Sequence, residues 1–241
     1  MSARVVLAAI GPWTELPELS SEFTLSLEPV DEDWREDLIQ RGWETEALPK
    51  PQLKVIRGHS AVIWAERELS PRALIPATRE EPERYKLELS AAREAAWLLK
   101  RLAELGASAL YFDPAEKVLH PETLKDFPSR DGVALLHLFV DIWADDAAVT
   151  TEGMSIFGCP DLQVALRSKA EAEVAQATAF SAAAQLVCDG LALPEGARFQ
   201  ALEDFPVYRS EGLIQDTQDE EQGEAHPLGL IKLTRADTSS S

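Results

Sequence analysis

A long helical stripe of apolar side chains limits the folds that this sequence can adopt. Within residues 84–106, apolar positions recur at spacings of four, four, three, four and three, which places them along one face of a helix. The stripe consists of Leu87, Ala91, Ala95, Leu98, Leu102 and Leu105. Such a face needs a second layer to cover it, and Gly106 is suited to end the helix. We therefore expect a long helix packed on a sheet.

Segments of strand character precede and follow this helix. Residues 60–66 alternate between two sets of side chains, and residues 107–112 form a short apolar run. Residues 3–10 and 21–30 have the same character nearer the start of the chain. The polar stretch that follows them contains Trp34, Leu38 and Trp43, which predict a short amphipathic helix and then a proline-rich connection.

The second half of the chain repeats the order of strand, helix and strand. Residues 132–143, GVALLHLFVDIW, are apolar on both faces, as is typical of a central strand covered on each side. An alanine-rich helix follows through residues 169–190 and is closed by Gly190. A short strand is expected within residues 197–205, and residues 228–233 predict an edge strand.

These elements predict an α+β fold with a mixed or antiparallel sheet and two long helices. The expected α+β domain spans residues 1–210, and its two related halves, 1–125 and 126–210, share one core. One continuous mixed sheet with both helices on one face is the alternative. Residues 211–241 are expected to form an acidic segment and a flexible C-terminal tail.

The charge balance is strongly acidic and restricts the classes of partner. The chain has 42 Asp and Glu residues against 23 Lys and Arg residues, a formal net charge of −19. This charge repels nucleic-acid phosphates and anionic membranes, so neither is an expected partner, whereas a basic protein is attracted. The alternative is that the excess carboxylates serve only solubility.

The sequence also predicts a cytoplasmic location. No apolar run approaches the roughly 18 residues of a membrane-spanning helix, and Gly11-Pro12 interrupts the apolar run at the N-terminus. Cys159 and Cys188 are the only cysteines, too few for a secreted disulfide framework. Free thiols are expected, and a single disulfide between the two cysteines is the alternative.

One loop, TTEGMSIFGCPDLQ at residues 150–163, contains a candidate nucleophile. Cys159 could act with His137 as base and Asp141 as the residue that orients it, since residues 137 and 141 of a strand face the same side. However, Pro160 removes the neighbouring backbone donor, and His137 lies in the most apolar run of the chain. We therefore predict no catalytic site and a structural loop that crosses from one element to the next.

Motifs for cofactors and metals are not found in the sequence. The four histidines are scattered, and neither a glycine-rich phosphate loop nor a G-x-S-x-G motif occurs. Asp31-Glu32-Asp33 and Asp145-Asp146 do not have the ligand spacing of a calcium loop and are interpreted as solvated turns. No cofactor and no metal site are expected.

Tryptophans in polar surroundings are candidates for binding a protein partner. Trp13, Trp34 and Trp43 have such surroundings, whereas Trp64, Trp97 and Trp143 are predicted to belong to the core. The acidic residues of the segment after residue 210 are further candidates for partner binding. They are Asp219, Glu220 and Glu221.

The loop at residues 150–163 resembles a signature of a bacterial protein family catalogued as domain of unknown function 4261. The family motif reads Thr-x-Gly-Met-x-x-Phe-Gly-x-Pro-Asp/Glu after a strand similar to LHLFV, here residues 136–140. The matching motif residues are Thr151, Gly153, Met154, Phe157, Gly158, Pro160 and Asp161. The resemblance covers residues 55–200 and includes Gly106–Tyr111. Cys159 departs from the aliphatic residue usual in the family, which argues against thiol catalysis.

The same loop is more loosely similar to loops of bacterial immunity proteins of the suppressor-of-fused class. That resemblance implies an acidic α+β protein that binds and neutralises a toxin. Together with the charge, it leads us to expect a non-enzymatic binding protein whose partner is a basic toxin or effector. The alternatives are a cysteine-dependent enzyme that uses Cys159 and His137 and a regulatory subunit of a larger assembly.

Overall fold

The computed structural model describes residues 2–75, 84–86, 89–214 and 226–236. Helices and antiparallel or mixed sheets confirm the α+β class. The strands in this part of the chain are β1 (Ala3–Gly11), β2 (Thr24–Pro29), β3 (Ala61–Leu69), β4 (Leu74–Ile75), β5 (Arg84–Tyr85), β6 (Ala109–Phe112), β7 (Lys117–Leu119), β8 (Asp141–Ala144), β9 (Ala148–Glu152), β10 (Asp161–Ala165), β11 (Arg198–Phe199), β12 (Tyr208–Ile214) and β13 (Leu230–Arg235). The α-helices are α1 (Glu32–Glu44), α2 (Lys50–Arg57), α3 (Ser90–Glu104), α4 (Gly132–Phe139) and α5 (Ala172–Ala184).

Two compact units make up the chain. The first consists of Arg4–Glu68 and Ser90–Leu135, and the second of Met1–Ala3, Leu69–Leu89 and Leu136–Ser241. Each unit is therefore built from segments that are separated in the sequence.

A five-stranded sheet organises the first unit, in the order β2-β3-β1-β6-β7. The pairs β2–β3, β1–β6 and β6–β7 are antiparallel. Leu38 and Ile39 of α1, together with Ile56 of α2, pack against side chains of β1, β3 and β6 to form a core cluster. Of the predicted stripe, Ala91, Ala95, Leu98 and Leu102 of α3 are buried. Leu105, just after the end of α3, is 39% exposed, and Leu87 lies outside the described residues. Burial of one face of α1, α2 and α3 accounts for the amphipathic pattern of these helices.

A six-stranded mixed sheet organises the second unit, in the order β11-β12-β13-β10-β9-β8. Its β10–β13 pair is parallel and its other pairs are antiparallel. α5 packs on β8, β9 and β10 through small side chains, and a π-helical turn continues it to Asp189. Gly190 ends the turn with a φ of 69°, as the sequence predicts. β4 and β5 form a separate two-stranded antiparallel sheet.

The predicted central strand at residues 132–143 is wrong. The segment forms α4 and then the short strand β8, which lies at an edge of its sheet. Asp131 starts the helix, because its Oδ1 accepts hydrogen bonds from the backbone N–H groups of Val133 at 2.8 Å and Ala134 at 3.2 Å. A segment that is apolar on all sides fits both the 3.6-residue period of a helix and the two-residue period of a strand. Its pattern therefore does not distinguish a buried helix from a buried strand.

Four other expectations need correction. The proline-rich connection contains α2, which begins after Pro49 and has Pro51 in its first turn, where proline is tolerated. The loop at residues 150–163 is no crossover, because it joins the neighbouring antiparallel strands β9 and β10. The predicted edge strand is β13, which lies inside the sheet between β12 and β10. The segment that was expected to leave the domain at residue 211 begins as part of the sheet, because residues 211–214 complete β12.

Among the helices of the described residues, none has the length and apolar character needed to cross a membrane.

Candidate functional site

The loop between β9 and β10 is a tightly packed turn. Met154–Phe157 forms one turn of 3-10 helix between Gly153 and Gly158, whose φ angles are 98° and 65°. Met154, Ile156 and Phe157 are buried. A Cβ atom on Gly158 would lie 3.1 Å from the carbonyl oxygen of Ser70 and 3.2 Å from the backbone nitrogen of Arg72. A side chain there would therefore be crowded, in addition to the strain of its positive φ.

Asp161 is the hydrogen-bonding centre of this loop. Its Oδ1 accepts hydrogen bonds from Thr151 Oγ1 at 3.1 Å and from the backbone N–H of Met154 at 3.2 Å. Its Oδ2 lies 3.2 Å from Nδ1 of His226. Thr151 Oγ1 in turn accepts a hydrogen bond from the backbone N–H of Leu162 at 2.8 Å. The first and last residues of the sequence motif are therefore bonded to each other.

Burial dominates the electrostatics of Asp161, which is 2% exposed. Removal from water raises the pKa of the carboxyl group, and the hydrogen bonds from His226, Met154 and Thr151 oppose that rise. Sequence reasoning did not find His226 as its partner. The two residues are 65 positions apart, and no spacing pattern connects them.

Cys159 does not form a catalytic set with His137 and Asp141. The thiol is fully buried and donates a hydrogen bond to the carbonyl oxygen of Phe157, with 3.7 Å between Sγ and O. Burial raises the pKa of Cys159 to about 11. His137 is exposed on α4, its ring 4.6 Å from that of Phe180, and Asp141 is exposed on β8. A buried, protonated thiol is the opposite of an activated nucleophile.

Thiol labelling provides a direct check of this placement. In a Cys188→Ser variant, which removes the half-buried second cysteine, we expect Cys159 to react with Ellman's reagent at least about 100-fold more slowly in the folded protein than in urea. Since the pKa of the folded thiol is raised, going from pH 7 to 9 should produce little thiolate in the folded state and much more in the unfolded state. Rapid labelling of the folded variant at neutral pH would restore the cysteine-enzyme alternative.

A buried arginine that the sequence does not reveal lies beside the same loop. Arg72 is 6% exposed, and its Nη1 donates to the carbonyl oxygens of Leu186 at 3.1 Å and Val187 at 3.4 Å. Its backbone N–H donates to the carbonyl oxygen of Gly158 at 2.8 Å. Arg72 therefore connects the loop to the π-helical turn after α5, where the terminal carbonyl groups favour a cation.

The tryptophans are distributed differently from the prediction. Trp43 is 48% exposed, as a partner-binding residue requires. Trp97 and Trp143 were predicted to lie in the core, but they are 41% and 39% exposed. Trp34 and Trp64 are partly buried and pack against the first unit's core cluster. Trp13 is half-buried, and its ring covers Gly11 so closely that a Cβ there would lie 2.7 Å from it.

α1 exposes both Trp43 and several carboxylates. Asp33, Asp37 and Glu44 project from the exposed side of this helix, opposite the buried Leu38 and Gly42. Nζ of Lys50 lies 5.0 Å from the ring centroid of Trp43. We call Asp33, Asp37, Glu44 and Trp43 the α1 face.

Other charged candidates have structural partners or lie outside the described residues. Asp31 caps α1 by accepting from the backbone N–H of Trp34, and Asp145 accepts from the N–H groups of Ala147 and Ala148. In the described ranges, no three His, Cys, Asp or Glu residues are grouped as metal ligands. Asp219, Glu220 and Glu221 lie outside the described residues.

Comparisons of the chain with protein-family models, curated proteins and solved structures give no match. The similarity to the family catalogued as domain of unknown function 4261 therefore stays a prediction.

Proposed function

We propose that this protein is a non-enzymatic binding protein that holds a basic protein partner on the α1 face. The partner that best suits the proposal is a basic toxin or effector, which the protein would neutralise as an immunity protein does. A regulatory subunit would use the same face and differ only in its partner. The observation that carries the proposal is the exposure of Trp43, at 48%, on a helix that also exposes Asp33, Asp37 and Glu44.

Apolar contact supports Trp43 as the anchor of such an interface. Tryptophan is among the residues that contribute most to binding when a partner covers them, because a large apolar area leaves water. Lys50 lies over one part of the ring and leaves nearly half of the residue accessible. Covering the remaining surface would add apolar burial without unfolding any part of α1.

Charge supports the choice of a basic partner. Asp33 and Asp37 lie one helical turn apart on the exposed side of α1, and the whole chain has a net charge of −19. Carboxylates on the same helix as an apolar anchor speed the encounter with a cationic surface and make association sensitive to salt. The affinity itself would depend mainly on the anchor.

A pull-down with matched tryptophan variants tests the proposal. The wild-type chain, a Trp43→Ala variant and a Trp143→Ala control serve as bait in lysate of the native host at low salt. We expect wild type and the control to retain one stoichiometric basic protein and Trp43→Ala to lose it. With that protein purified, titration calorimetry should show binding at least about tenfold weaker for Trp43→Ala.

A second variant tests the charge contribution. Replacing Asp33 and Asp37 together by asparagine should slow association and reduce its dependence on salt. The proposal fails if no stoichiometric partner is retained at low salt. It also fails if the retained protein is acidic, or if it binds Trp43→Ala as tightly as it binds wild type.

A further inference from the structure

We propose that a small groove beside α3 is a second docking site, which takes an acidic peptide segment through one apolar side chain. We call it the α3 groove and define it by Trp97, Lys100, Arg101, Glu104 and Phe127. It lies in the first unit and shares no residue with the α1 face. The inference therefore goes beyond the proposed function and can fail independently of it.

Two aromatic rings and a small residue make the groove a place for an apolar side chain. Trp97 is 41% exposed, Phe127 is half-buried, and Ala96 leaves space between them. The cavity has a volume of about 230 Å³. That is below the roughly 300–1,000 Å³ of typical small-molecule sites, so a single side chain fits it better than a cofactor does.

Cations lie beside Trp97 on α3. Arg93 and Arg101 are one turn before and after Trp97 on α3, and Lys100 is three residues after it, so all lie on the same side of the helix. Lys100 Nζ donates to the carbonyl oxygen of Lys125 at 2.9 Å, and Arg93 Nη2 donates to that of Arg130 at 3.3 Å. A carbonyl oxygen orients these groups without neutralising them.

Carboxylates balance only some of this charge. Glu104 pairs with Arg101, and Glu122 pairs with Lys125 at 3.7 Å. Within the described residues, Lys100 and Arg93 are not paired with a carboxylate. The groove therefore has unpaired positive charge in a chain whose net charge is −19, and this charge is complementary to an anionic segment.

The same charges favour a short acidic peptide over a nucleic acid. At physiological salt the screening length is about 8 Å, so a short peptide responds chiefly to the cations next to it. A nucleic acid extends its regularly spaced phosphates across the acidic remainder of the surface, where they are repelled. A peptide with an apolar residue between carboxylates matches both the rings and the cations.

Fluorescence anisotropy with defined peptides tests the proposal. The probes are fluorescein-labelled octapeptides with a central Phe, Leu or Trp flanked by Asp and Glu. In one comparison set the central residue is Ser, and in another the acids are replaced by Asn and Gln. We expect the acidic apolar probes to bind the full chain and both comparison sets to bind at least about tenfold more weakly.

Matched variants locate the binding. Trp97→Ala should weaken binding about tenfold or more, and Lys100→Glu about fivefold, whereas Trp143→Ala and Lys54→Glu should leave it unchanged. Thermal melts by circular dichroism check that each variant is folded. The proposal is overturned if no acidic probe binds, if binding survives Trp97→Ala, or if labelled oligothymidylate binds more tightly than the peptides. Since Trp43 is intact in every variant, these results leave the proposed function separately testable.

Discussion

Replacing Asp161 with alanine should lower the free energy of unfolding by about 3–5 kcal/mol, because each buried donor that loses its acceptor costs about 1–3 kcal/mol. The substitution leaves the hydroxyl group of Thr151, the backbone N–H of Met154 and the imidazole of His226 without their acceptor. Urea denaturation at pH 7, followed by circular dichroism, measures the loss.

Asp161→Asn provides the control for hydrogen bonding. Its amide oxygen can still accept from Thr151 and Met154, so we expect it to lose less than half as much stability as Asp161→Ala. A loss below about 1 kcal/mol for Asp161→Ala would show that this network contributes little to holding the loop.

Replacing Trp34 with alanine should lower the free energy of unfolding by about 2–3 kcal/mol. This is somewhat less than for a fully buried tryptophan, because the side chain is half-buried. Its ring centroid lies 4.8 Å from that of Trp64 and 5.9 Å from that of Tyr111, in a tilted and an edge-on arrangement. The substitution would open a cavity between α1 and its sheet. Thermal and urea unfolding both measure this effect.

Trp43→Ala is the matched control, since it makes the same chemical change on the same helix. With 48% of Trp43 exposed, we expect its stability change to stay within about 0.5 kcal/mol. Equal losses for the two variants would contradict the assignment of Trp34 to the core and Trp43 to the surface.

Periodicity identifies an element reliably where only one of its faces is buried. The stripe of α3 includes Leu98 and Leu102, which are buried, and the off-stripe Trp97 is exposed. Residues 132–143 have apolar side chains on all sides, so periodicity does not decide between helix and strand there. The deciding contact is the cap made by Asp131, a local hydrogen bond that the apolar pattern does not contain.

Side-chain type alone does not determine which tryptophans are exposed. Trp34 and Trp43 lie on the same helix and in similarly polar sequence, yet they differ because Trp64 of β3 and Tyr111 of β6 cover only Trp34. These residues are distant in the sequence, so their contact depends on the order of the strands in the sheet.

The sequence by itself determines the α+β class and the positions of β1, β3, α3 and β6, because these follow from local periodicity. It also determines the end of the second long helix at Gly190, because the backbone conformation there favours glycine. The tertiary structure alone decides the burial of Cys159, the pairing of Asp161 with His226, the interior position of β13, and the faces on which Trp43 and Trp97 are exposed. Each of these depends on contacts between residues far apart in the chain, which local patterns do not encode.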